Sequence, residues 1–410
     1  MMIRKCTAAC LLFTLTTFGW AADWPQWHGS NRDNISTETG LLATWPTDGP
    51  PLVWTATELG GGFASVAVVG DKIFTTGDFT NEACVLALNV KTGKQLWQSP
   101  LGKRGGGNGF PGPRATPTVD GALVFALGQY GDLVCLHTTD GKEVWRKNLA
   151  TDFGGKMMSD WGYSDSPLVL GDKLLCTPGG KDGTVIALNK NTGAVIWRSS
   201  ELTDKAAYSS LVIAKLAGVS QVVVLTGEHL AGIDPDTGKL LWSAPRTGAT
   251  AVAPTPVCKD DCVFVTSGYK IGCNLFKITR AGKEFQATEM YTNTEMINHH
   301  GGVVLVGENV YGFSDGKGWT CLNFKTGESV WNSKDFGKGT LLCADGHLYL
   351  RSETGGTLAL IEATPTGWKE TGRFTPPDSS AKNTWAHLVV SNGQLFIRDK
   401  DKLFCYNIKK

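Results

Sequence analysis

One copied motif constrains this sequence more than any other feature. Leu86-Ala-Leu-Asn-Val-Lys-Thr-Gly-Lys-Gln-Leu-Trp97 returns as Val134-Cys-Leu-His-Thr-Thr-Asp-Gly-Lys-Glu-Val-Trp145 and as Ile186-Ala-Leu-Asn-Lys-Asn-Thr-Gly-Ala-Val-Ile-Trp197. Shorter copies end at Asp236-Thr-Gly-Lys-Leu-Leu-Trp242 and Lys325-Thr-Gly-Glu-Ser-Val-Trp331. A degenerate copy around Thr279–Phe285 puts Gln286 at the tryptophan position, and another, Leu358 to Trp368, has lost the Thr-Gly turn. Repetition of this kind outranks local propensity, because each copy is one supersecondary unit that needs its neighbours to bury its face.

Each copy reads as a hairpin: an alternating apolar strand, a polar turn whose glycine tolerates positive φ, and a second short strand ending in tryptophan. Two more strand-like runs precede each copy, as in Thr116–Asp120 followed by Leu123–Leu127. The units therefore have four strands, and helical periodicity is nearly absent. The 51 glycines and 14 tryptophans of this 410-residue chain are those of many tight turns around many packed strands. Counting tryptophan positions from Trp54 to Trp368 gives eight units. Pro51-Leu-Val-Trp54 has no partner strands before it, and Lys402-Leu-Phe-Cys-Tyr-Asn407 is a third strand with no fourth after it. The two fragments complement one another. The expected fold is all-β: one eight-bladed β-propeller of four-stranded blades, closed by the N-terminal strand joining the C-terminal blade, which removes open sheet edges.

Arg4 and Lys5 precede the apolar run Cys6–Trp20, and Gly19-Trp20-Ala21 supplies the small residues of a cleavage site. The expected organisation is a signal peptide over 1–21, an N-terminal extension over 22–50 and the propeller over 51–410, in an exported protein, periplasmic or secreted and monomeric. No later segment is long and apolar enough to span a bilayer. Lys plus Arg is 39 against 38 Asp plus Glu, so the chain lacks the basic surface that nucleic-acid binding needs. Cys258 and Cys262 flank a turn and are candidates for a local disulfide. The other cysteines of the strands read as small buried hydrophobes.

The Ala-Leu-Asn-x-x-Thr-Gly-x-x-x-Trp pattern resembles the tryptophan-docking repeat of quinoprotein (PQQ-dependent) dehydrogenases. It also resembles that of the propeller lipoprotein of the outer-membrane β-barrel assembly machine. Trp24-Pro-Gln-Trp27 and Trp161-Gly-Tyr-Ser-Asp-Ser-Pro resemble segments of secreted bacterial proteins with PQQ-like repeats. The resemblance specifies fold rather than activity. The chain departs from both families: it has no adjacent cysteine pair of the methanol type, no Cys-x-x-Cys-His haem site, and no cysteine at the end of the apolar run to carry a lipid.

Aligning the first strand of each unit places Ser65, Thr116, Ser166, Ser210, Thr255, Gly302, Thr340 and His387 at one level. Two residues earlier stand Phe63, Arg114, Ser164, Tyr208, Ala253, His300, Lys338 and Trp385. Side chains two apart in a strand point the same way, so these eight are expected around the mouth of the central channel. Arg114, Tyr208, His300, Lys338, Trp385 and His387 are the candidate ligand-binding residues. Cations between flat aromatic faces suit a planar or anionic small ligand, and a glycan or a partner protein is a further candidate. His299-His300 points to opposite faces of a strand, so no metal site is expected. The leading expectation is a ligand- or protein-binding scaffold. The alternative is a PQQ-dependent dehydrogenase oxidising an alcohol or sugar, with PQQ and calcium as cofactors and Asp165 as candidate base.

Overall fold

The structure, a computed structural model, describes residues 23–410, so the expected leader lies outside the described residues. Eight sheets follow one another around a ring. Blade 1 is Ala67–Val69, Lys72–Asp78, Ala83–Asn89 and Gln95–Gly102, and blades 2 to 7 repeat this antiparallel order outward from the axis. Blade 8 takes three strands from the C-terminus, Val389–Ser391, Gln394–Asp399 and Lys402–Asn407, and its outer strand from Leu52–Ala56. Ring closure thus follows the complementarity of the two chain ends. Among the described residues there is no helix, and none is long and apolar enough to cross a membrane.

The repeat is a docking device. Every outer strand skips one residue against its neighbour, and the residue after the skip faces Ala87 in blade 1, Cys135 in blade 2 and Ala187 in blade 3. In those blades it is Trp97, Trp145 and Trp197. In most blades the indole N–H reaches the turn of the next: Trp54 donates to Val90 O at 3.1 Å, Trp97 to Thr138 O at 3.2 Å, Trp145 to Lys190 O at 2.9 Å and Trp197 to Pro235 O at 3.1 Å, whereas Trp242 donates to Gln221 Oε1 of its own blade at 2.6 Å. The turn glycine then lies under the ring. A Cβ on Gly93, which has φ 68°, would fall 2.6 Å from Trp54 Cε3. Glycine is needed there for its dihedral and again for the contact.

Two degenerate units resolve differently from the sequence expectation. In blade 5 the register shift sets Tyr291, not Gln286, at the docking position. Its hydroxyl donates to Phe324 O at 2.9 Å, as the indoles do, and its ring covers Gly327. Gln286 sits farther out on a lengthened hairpin, opposite Thr279. In blade 7 the docking position is Gly372, not Trp368. Trp45, from the N-terminal extension, fills the vacated space: a Cβ on Gly372 would lie 2.5 Å from Trp45 Cβ, and the indole packs edge-on against Tyr349 and Phe374.

The nine cysteines of the described residues are all free thiols, including Cys258 and Cys262. The register pairs Cys258 with Val263 and Lys259 with Cys262. The two side chains therefore face opposite sides of the sheet, one in the core between blades 4 and 5 and the other in the core between blades 5 and 6.

Residues 24–36 cross the axis of the ring. Trp24 exchanges backbone hydrogen bonds with Val68 of blade 1, Val119 N of blade 2 donates to Pro25 O, and Ile35–Ser36 pairs parallel with Cys343–Ala344 of blade 7. Between these anchors Arg32, buried, donates to Ser166 O and Pro167 O of blade 3. The channel is therefore blocked on one side by the chain's own N-terminal segment.

Candidate binding site

Above that plug lies a chamber of about 290 Å³. Its floor is Trp27, stacked on His28 at 4.0 Å between ring centroids. Its walls are the residues that lead into each blade's innermost strand. Phe63, Arg114, Ser164, Tyr208, Ala253, His300 and Trp385 line it, and so does His387. Seven of the eight positions expected at the mouth are brought together, because blade symmetry carries equivalent residues to the same height.

Lys338 is the exception. Its ammonium turns from the chamber to Asp315 Oδ1 at 2.7 Å and to His299 Nδ1 at 3.1 Å. Asp165 also does not line the chamber. Its side chain is buried beside Arg32, and burial lifts its carboxyl to about 7. The hydroxyls at the next level are used between blades: Ser65 Oγ donates to His387 O, while Ser166 Oγ and Ser210 Oγ accept from Thr116 N and Ser166 N.

Aligning the units did not place Trp27, Phe110, Trp161, Ala251, Tyr269 and His299 at the mouth, and these complete the lining. Phe110 and Trp161 come from the longer connections between blades, where no repeat sets a register. Trp161 and Trp385 stand outside the docking repeat in the sequence, and that is the signal that marks them. Trp319, equally unassigned by the repeat, is core: it is fully buried and donates to Gly337 O.

The wall is mostly aromatic. Trp385 lies 4.9 Å from Phe63, 5.0 Å from Phe110 and 5.3 Å from His300 between ring centroids. Arg114 is held by carbonyls, Nη1 donating to Trp161 O at 2.7 Å and Nη2 to Phe110 O at 2.6 Å, and its guanidinium lies over Phe63. Burial lowers its pKa to about 10, which leaves it cationic at neutral pH. His300 Nε2 lies 3.1 Å from Glu353 Oε2. Burial pushes the Glu353 carboxyl up, but His300, the Trp385 indole and Lys338 outweigh this and hold it at about 2. No carboxylate is among the lining residues.

Burial drives the His387 imidazole down to about 4, outweighing the hydrogen bond to the His300 carbonyl that pulls it up, and burial with His300 and Lys338 drives His299 down to about 4 as well. Both are neutral at pH 7. His387 Nε2–H therefore donates to His300 O at 3.2 Å, and its Nδ1 accepts from His28 Nε2–H at 3.1 Å. A histidine with a folded pKa of about 4 against an ordinary ~6.5 gives stability that is complete above pH 6.5 and lost as pH falls towards 4. Asp165 acts in the opposite sense below pH 7. From pH 7 to pH 4.5, the urea midpoint of the parent is expected to fall more than that of His387→Gln. Equal falls would show that His387 keeps an ordinary pKa.

Asp204, Glu228 and His229 bring donor atoms within 4.8 Å of one another away from the chamber. Asp204 Oδ2 is already engaged there by Thr226 and His229.

Blades docked by tryptophan onto the next blade's turn glycine, closed by an N-terminal strand, define the quinoprotein-like class of eight-bladed propellers. Within it, the chain belongs to the family described as outer membrane protein assembly factor BamB, whose family model matches residues 81–333. It is 24% identical over 237 residues to the BamB of Shewanella oneidensis, covering 56% of this chain and 55% of that protein. It is 27% identical over 198 residues to a quinoprotein ethanol dehydrogenase of Pseudomonas aeruginosa, covering 42% of this chain and 30% of that protein. The chain thus spans about half the length of the first of these relatives and less of the second. A crystal structure of BamB from Moraxella catarrhalis superposes with a TM-score of 0.59 at 15% identity, covering 87% of this chain and 97% of that one. The quinohemoprotein alcohol dehydrogenase of Comamonas testosteroni gives 0.66 at 11% identity, covering 95% and 81%. These two likenesses establish the fold.

Proposed function

We propose that this protein is an exported binding scaffold, with a leader at 1–21, an extension at 22–50 and a propeller at 51–410, whose blind chamber captures a planar or anionic small ligand. The observation that carries this reading is the chamber itself: flat aromatic faces around one guanidinium, with no carboxylate on the wall to neutralise it. A concave, largely apolar site with a few fixed polar groups is the usual form of a small-ligand pocket. The family relationship supports the scaffold role and leaves room for a protein partner on the outer faces.

The dehydrogenase reading finds less support in the donor set. Calcium takes clustered oxygen ligands, and the lining residues include no Asp or Glu. A tricarboxylate quinone presents three anionic groups, whereas Arg114 is the one permanently charged residue among those lining the chamber. Asp165, the candidate base, is buried outside it.

The test is fluorescence titration of the full chain with planar and anionic small molecules, beside an Ala253→Trp variant in which the added ring fills the chamber. Quenching that saturates in the parent and is lost in the variant is expected. Binding that survives the filled chamber would place the ligand elsewhere and overturn the reading.

A further inference from the structure

The chamber's polar atoms, counted one by one, narrow the ligand. Most of the aromatic side chains turn their polar tips into the wall. Trp27 Nε1 donates to Thr255 Oγ1 at 3.0 Å, and Trp385 Nε1 to Glu353 Oε2 at 2.9 Å. The Tyr208 hydroxyl pairs with Ser159 Oγ, the Tyr269 hydroxyl with His299 Nε2, and His299 Nδ1 with Lys338 Nζ. Both nitrogens of His387 are occupied. What these residues offer a ligand is ring faces.

Few groups remain open. Arg114 uses Nη1 and Nη2 on carbonyls, and its Nε makes no hydrogen bond among the described residues. The indole N–H of Trp161, the hydroxyl of Ser164 and the ring nitrogens of His300 are likewise without hydrogen-bond partners among the described residues, although His300 Nε2 lies 3.1 Å from Glu353 Oε2. Arg114 Nε and Trp161 Nε1 are donors, so the ligand group they meet must be an acceptor. Arg114 is the one permanent cation among the lining residues, and Lys400 Nζ stands 4.0 Å over the ring of Phe63. Lys338 is spent on Asp315, and on the side of His300 and Trp385 the wall is backed by the Glu353 carboxylate.

We infer that the chamber takes a one- or two-ring aromatic monocarboxylate, its acid at Arg114 Nε and its ring between the aromatic faces. The inference rests on the chamber being a ligand site and deepens that reading. A volume of about 290 Å³ lies at the small end of ligand pockets, which suits such a molecule. A sugar would bury more hydroxyls than these few open groups can meet, at roughly 1–3 kcal/mol for each one left unpaired. A second carboxylate would find no second permanent cation among the lining residues and would face Glu353 on the side of His300 and Trp385. Ring faces, by contrast, reward stacking at little entropic expense.

The test is isothermal titration of the full chain with four probes: 2-naphthoate, 2-naphthamide, glucuronate and benzene-1,3,5-tricarboxylate. Naphthoate is expected to bind best, with the uncharged amide weaker by about tenfold, the worth of a charge-assisted hydrogen bond. Arg114→Gln is expected to weaken naphthoate by a similar factor and to leave the amide unchanged. A merely structural role for Arg114 would weaken both alike. Preference for glucuronate or the tricarboxylate, or equal affinity for naphthoate and its amide in the parent, overturns this inference while leaving the chamber a ligand site. Binding of none of the four overturns the inference, and if the wider titration with Ala253→Trp is also silent, the proposed function falls with it.

Discussion

Replacing Trp45 with alanine is expected to lower the unfolding free energy by about 3–5 kcal/mol, the cost of truncating a buried tryptophan. Trp54→Ala is expected to cost somewhat less, because its ring is partly exposed, and to loosen the seam between blade 8 and blade 1. Trp368→Ala is the contrast. That ring is only partly buried and sits in the turn against Trp331, so its loss should cost less than half as much. Urea unfolding of the three variants reads the order directly. A larger loss for Trp368 than for Trp45 would mean that Trp368 holds the docking position of blade 7.

These residues also show how far the sequence reports the fold. Where the Thr-Gly turn and the tryptophan both survive, their spacing sets the register, and five blades and the closing strand follow from it. In blade 5 the hairpin lengthens to Gly272–Ala281 and Glu284–Asn293. Counting from the turn then lands on Gln286, whereas the slot is fixed from the inner end, at Tyr291. In blade 7 the slot holds a glycine and the ring arrives from 327 residues upstream in the chain, at Trp45. Local pattern carries no information about a side chain supplied from so far away. The indole N–H of Trp45 is left without an acceptor, so this substitution preserves the packing and gives up the hydrogen bond.

Asp399→Ala is the second large effect, also about 3–5 kcal/mol. Arg351 Nη2 meets Asp399 Oδ2 at 3.1 Å with both side chains essentially unexposed. Asp399 Oδ2 also accepts from Ser380 N at 2.9 Å. Burial already draws the Arg351 guanidinium down to about 10, against the pull of Asp399. Removing the carboxylate strands a buried cation, which is where most of the loss arises. The double variant Arg351→Met with Asp399→Leu should recover a large part of it. A double variant as unstable as Asp399→Ala would show that the pair itself, rather than the uncompensated charge, sets the cost.

The site was legible to the extent that blade symmetry is. Aligning innermost strands found the wall residues, since equivalent positions in a ring share a height. It failed at Lys338 because height does not fix direction: Asp315 and His299 draw that ammonium aside. It failed at the floor because Trp27 belongs to no repeat. Its position follows from the whole course of residues 24–36 across the axis, which only the folded ring defines. Closing one end of the channel is what makes a hydrated pore into a chamber.

The most direct measurement is a crystal structure of the full chain soaked with 2-naphthoate. The expected result is ligand density in the chamber above Trp27, with a carboxylate oxygen about 3 Å from Arg114 Nε and the rings against Trp385 and Trp161. Naphthoate density on the outer rim or at the Thr-Gly turns, with the chamber holding only solvent, would contradict it.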